Sequence, residues 1–85
     1  MQAQQLEQAL GAAEAAASVR EAAAAIRAQL PGLRVVVVDA FDMRGETPAA
    51  RGTKRALYYG ASDGHCWQVT ADPAQAVGLF ITELS

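Results

Sequence analysis

The sequence predicts an α+β fold: two N-terminal helices packed on one face of a mostly antiparallel four-stranded sheet, in the order ααββββ. Three observations predict it. Apolar residues recur at helical spacing through the alanine-rich first third. A run of valines, Val35 to Val38, follows soon after Pro31-Gly32. Between Arg55 and Glu83, three short runs rich in β-branched and aromatic residues are separated by two groups of turn formers, the pattern of a strand meander. The chain has 85 residues, enough for one domain and no second core. Its helical hairpin should cover about Ala3 to Leu30 and its sheet about Leu33 to Glu83.

In the first helix, Leu6, Ala9, Leu10, Ala13 and Ala17 share a face opposite Gln4, Gln8 and Glu14. Gly11 interrupts it and weakens it by roughly 1 kcal/mol relative to alanine. Ser18 with Glu21 three residues later fits a capping box and marks a second start. Val19, Ala22, Ala23, Ile26 and Leu30 then repeat at helical spacing, until Pro31-Gly32 ends the helix.

Leu33 to Asp39 reads as a strand buried on both sides, with Leu33, Val35 and Val37 on one face and Val36 and Val38 on the other. Ala40 to Thr53 breaks pattern and is expected to be an irregular loop, mobile or functional. Arg55 to Gly60 and His65 to Thr70 should form a hairpin around Ala61-Ser62-Asp63-Gly64, since Asp-Gly is a strong turn former. Asp72-Pro73 suits a capped single helical turn. Val77 to Glu83 is the last strand, with Val77, Leu79 and Ile81 on one face and Phe80 on the other. Two helices cover one sheet face, so Val36, Val38 and Phe80 on the second face are candidate interface residues.

Composition narrows the function classes. Aromatics make up 6% of a chain that is 52% hydrophobic, so alanine inflates the apolar count and self-association would help to bury surface. A net charge of −2 gives no basic field to attract nucleic acid or an anionic membrane. Cys66 has no second cysteine to pair with, which points to a reducing cytoplasm, and no apolar run is long enough to span a bilayer.

The residues with chemical potential are few. Asp63, His65 and Cys66 are candidate ligand or redox residues, but adjacent strand residues point to opposite faces, so His65 should not activate Cys66. The ordinary reading of Cys66 there is a small buried hydrophobe. One cysteine and one histidine fall short of a structural zinc site, and Asp39, Asp42, Asp63 and Asp72 lack the spacing of a cation-binding loop. Arg44, Arg51, Lys54 and Arg55 form a local basic cluster able to hold an anion, without a glycine-rich phosphate loop before a helix. Tyr58, Tyr59 and Trp67 read as half core and half surface rather than as a base-stacking platform. No cofactor, no metal and no catalytic residue is expected.

Gly64-His65-Cys66, Thr70, Asp72-Pro73, Ala76, Gly78 and Leu79, with Pro31-Gly32-Leu33 upstream, resemble a small family of uncharacterised bacterial proteins associated with nitrogen-fixation gene clusters. The resemblance implies a cellular context and supplies no active site. The sequence thus leads to a non-enzymatic interaction or accessory domain, with a protein partner or a homodimer. A ligand-binding or redox-responsive protein built on His65 and Cys66 is the second reading. Nucleic-acid binding through Arg44 to Arg55 is the weakest.

Overall fold

The computed structural model describes Met1 to Leu84. In chain order its elements are α1 (Ala3–Ala15), α2 (Val19–Gln29), β1 (Arg34–Val37), a short 3-10 helix (Ala40–Met43), β2 (Ala50–Arg51), β3 (Arg55–Ser62), β4 (Trp67–Val69) and β5 (Gly78–Glu83). The α+β class and the two leading helices are as expected. Ser18 caps α2 as its spacing predicts, its Oγ accepting the Glu21 N–H at 3.1 Å. The first helix runs through Gly11 without a break and stops at Ala15, where Ala16 turns extended.

The sheet differs from a meander. Its order is β1-β5-β3-β2, with β4 also paired to β3. Strand β5 crosses back to lie antiparallel to β3 and parallel to β1. It takes the central place because Leu79, Phe80 and Ile81 fill both of its faces, and such a strand is most stable when covered on both sides. Strand β4, with exposed Gln68, is left on the outside. There β2 pairs with Ala56 and Leu57, and β4 with Gly60 to Ser62, so the two short strands share the outer side of β3.

Leu57, Leu79 and Ile81 meet Ala9, Ala13, Ala22, Ala23 and Ile26 on the helix-covered face. Each large side chain buried there contributes about 1.5–3 kcal/mol. The small alanines let both helices approach the sheet closely, so the alanine-rich composition reflects tight packing. The second face carries a smaller cluster of Met43, Ala56, Tyr58 and Phe80, with Val38, Trp67, Val69 and Leu84 packed against it.

That second cluster corrects two expectations. The segment from Ala40 to Thr53 contains the 3-10 helix and β2, and the helix places Met43 over the second sheet face. Asp39 fixes its start, with Oδ1 accepting the Phe41 N–H at 2.8 Å. Phe80, expected on an exposed interface, is only 9% exposed. Trp67 packs against it edge-to-face, with ring centroids 6.1 Å apart. Trp67 can lie there because Arg34, Gly78, Gly60 and Val69 form one cross-strand row. With two glycines in its middle, the row leaves a trough, across which the Arg34 guanidinium reaches to 5.3 Å from the Trp67 ring.

The third correction concerns β1. The valine run predicts a strand buried on both sides, yet β1 lies at the sheet edge and only Val35 is buried. Val36 and Val37 are 38% and 39% exposed. The cause is geometric: α2 covers Val35, while the second-face cluster reaches Val38 and stops short of Val36.

Candidate functional site

The outer side of β1 pairs with no strand among the described residues. In a parallel pair alternate residues face the neighbouring strand. Val38 donates its N–H to the Ile81 carbonyl at 3.0 Å, so Val36 and Val38 face β5 and Val35 and Val37 turn their backbone groups outward. One of these outward groups is answered: Arg27 Nη2 donates to the Val35 carbonyl at 2.6 Å. Arg20, Ala23 and Arg27 fall on one stripe of α2, and with Val35, Val36 and Val37 they line a groove of about 400 Å³. A second cleft continues along the edge past Val37 to Val38, Asp39 and Glu83. Exposed Phe41 stands just beyond, with the Arg44 guanidinium 4.2 Å from its ring centre.

An open edge strand is a template for another chain, and proteins commonly guard it with charge. Arg27 acts as such a guard by occupying one carbonyl and placing a cation beside the edge. Val36 and Val38 do not share one open patch: Val36 is exposed at the edge, while Val38 is half-buried against the cluster around Phe80.

The basic cluster comes apart in three dimensions. Arg55 is turned inward and buried, at 2% exposure. Its Nη1 donates to the carbonyls of Ala13 (3.0 Å) and Ala16 (2.8 Å) at the end of α1, and its Nε donates to Glu83 Oε2 at 3.1 Å. Arg44 lies over Phe41, and only Arg51 and Lys54 remain as exposed cations at the β2–β3 turn. That turn does hold an anion, but the anion is the protein's own. The backbone N–H groups of Thr53, Lys54 and Arg55 all donate to the Glu14 carboxylate, at 2.8 to 3.1 Å. A Cβ at Gly52 would overlap that carboxylate.

Burial raises the Glu14 pKa, but the Lys54, Arg55 and Thr53 N–H groups and the Arg55 charge outweigh it and hold the group below its ordinary 4.5. A depressed native pKa stabilises the fold above the unfolded value and ceases to do so as pH falls through the native one. Thermal midpoints followed from neutral pH downwards should therefore fall below about pH 4.5. Glu14→Gln should start lower at neutral pH and show a flatter acid limb. An unchanged acid limb in that variant would remove Glu14 from the explanation.

Asp63, His65 and Cys66 do come together, in the β3–β4 loop. Asp63 Oδ1 accepts the N–H groups of His65 and Cys66, both at 2.9 Å, and Gly64 takes φ +94°. Those two N–H donors hold the Asp63 carboxyl below its usual range, against a smaller opposing effect of burial. Cys66 is exposed, contrary to the buried hydrophobe its position suggests, because β4 begins only at Trp67. The carboxylate's contacts are those of a turn: it accepts from backbone, and neither the imidazole nor the thiol engages it. No group of three or more His, Cys, Asp or Glu side chains is placed to hold a metal among the described residues. No helix among them is long and apolar enough to cross a membrane.

Arg20 and Arg27 escaped the sequence reading. Two basic residues two helical turns apart are an available signal, but which stripe of α2 flanks β1 is set by packing. Searches against family models, curated proteins and solved structures returned no match.

Proposed function

We propose that this chain is a small protein-interaction domain that takes an extended segment of another protein onto the outer edge of β1. The carrying observation is the outward-facing backbone of Val35 and Val37 beside the exposed Val36 and Val37 side chains. Strand addition obtains affinity from such main-chain groups and selectivity from the side chains that flank them. The nitrogen-fixation resemblance suggests an accessory role there. The redox reading has an exposed thiol that neither His65 nor Asp63 hydrogen-bonds, and the nucleic-acid reading loses Arg55 to the interior.

The test is a tagged pull-down from native cells grown with and without fixed nitrogen, using wild-type and Val37→Pro baits. Proline is tolerated on an edge strand where its missing N–H faces solvent, so the variant should melt like wild type. A stoichiometric partner captured by wild type and lost with Val37→Pro is the expected result. Equal capture by both baits, or a wild-type bait that recovers nothing, would sink the reading.

A further inference from the structure

Resting on that edge reading, we infer that the segment received by β1 is acidic, alternating carboxylates with apolar residues. The groove beside the edge is walled by two arginines and contains no acidic residue. Arg20 and Arg27 lie two turns apart on α2, about 10 Å along its axis, between the roughly 7 and 13 Å that separate same-face strand residues two and four apart. Carboxylates on alternate residues of an incoming strand would fall within reach of these two flexible side chains. Two acidic groups stand further along the edge, and both are engaged: Asp39 caps the 3-10 helix, and Glu83 accepts from Arg55.

The alternation follows from the faces of β1. Val35 and Val37 lie on the α2 side with the arginines, and Val36 on the other side beside Phe80. An incoming strand thus meets Arg20 and Arg27 beside Val37 on one face and exposed Val36 on the other, where the Arg34 guanidinium is drawn to the Trp67 ring. Docking also exchanges hydrogen bonds without leaving one unmade. The Val35 carbonyl passes from Arg27 to an incoming N–H, and the freed guanidinium takes a carboxylate. A second copy of this chain fits less well. Antiparallel pairing of two β1 edges about a two-fold axis would bring Arg20 and Arg27 of both copies to one seam, where like charges repel.

The experiment measures fluorescence anisotropy with three labelled peptides that alternate valine with glutamate, glutamine or lysine. The proteins are wild type, the double variant R20A/R27A, and V37P, each checked by melting. The glutamate peptide should bind wild type, weaken with salt, weaken at least about tenfold in the double variant, and be lost in V37P. If the double variant does not fold, the glutamine peptide and the salt dependence decide the same point. Equal binding of the glutamate and glutamine peptides, both lost in V37P, would overturn the acidic partner and leave the edge reading standing. No binding of any peptide, or binding that V37P leaves intact, would overturn both. A concentration-dependent dimer that V37P dissolves would overturn the acidic partner in favour of a second copy.

Discussion

Arg55→Ala should lower the unfolding free energy by about 3–5 kcal/mol, measured by urea denaturation. A domain of this length has on the order of 5–10 kcal/mol in total, so much of the population would unfold at elevated temperature. The size of the effect comes from what the guanidinium leaves behind. Ala13 and Ala16 present carbonyls at the end of α1 that no further helical turn satisfies, and Arg55 Nη1 answers both. Each buried acceptor left without a donor costs about 1–3 kcal/mol. The ion pair with Glu83 is the lesser part, since that carboxylate is half exposed. Glu83→Ala should therefore cost less than about 1 kcal/mol. Arg55→Met separates the two causes by keeping much of the volume while removing every donor. It should be nearly as destabilised as alanine, and Arg55→Lys should fall between methionine and wild type. A methionine variant as stable as wild type would show that packing, and not the carbonyls, holds Arg55 in place.

Arg55 also shows what the sequence could and could not reveal. Beside Lys54 and near Arg51 it reads as one of several surface cations, and its burial depends on α1 ending above the β2–β3 turn. That meeting brings together residues about 40 positions apart, and no local pattern encodes it. Local signals fared better. The Ser18 cap, the helix stop at Pro31-Gly32 and the Asp63-Gly64 turn each depend on residues close in sequence, and the first two lie where they were expected. The hairpin tip, expected at Ala61 to Gly64, lies at Asp63 to Cys66 because β3 runs on through Ser62. Strand neighbours are a different kind of fact. Val35 to Val38 and Leu79 to Ile81 look equally apolar, yet one run lies at the edge and the other at the centre. The candidate site follows from that difference, because only an edge strand has backbone groups to offer.

Gly78→Ala is the second large effect expected, and it tests how β1 is held in the sheet. A Cβ on Gly78 would overlap the Arg34 carbonyl oxygen and stand 3.0 Å from Arg34 Cβ. Backbone in a paired strand cannot swing aside as a side chain can, so β1 would have to part from β5 at its first residue. The cost should be about 3 kcal/mol, at the upper end of the range for overpacking. Gly60 sits beside Gly78 in the same cross-strand row but meets only the rings of Trp67 and Phe80, at 3.1 to 3.2 Å. Rings can give by a few tenths of an ångström, so Gly60→Ala should cost only about 1 kcal/mol. Gly11 in α1 has nothing within 4 Å, and Gly11→Ala should stabilise by about 1 kcal/mol through helix propensity. The three substitutions add the same methyl group, so their order in one urea series isolates the surroundings. Equal effects at Gly78 and Gly60 would mean that β1 yields as easily as a side chain. A docking edge that yields so readily could not hold Val35 and Val37 in register for a partner strand.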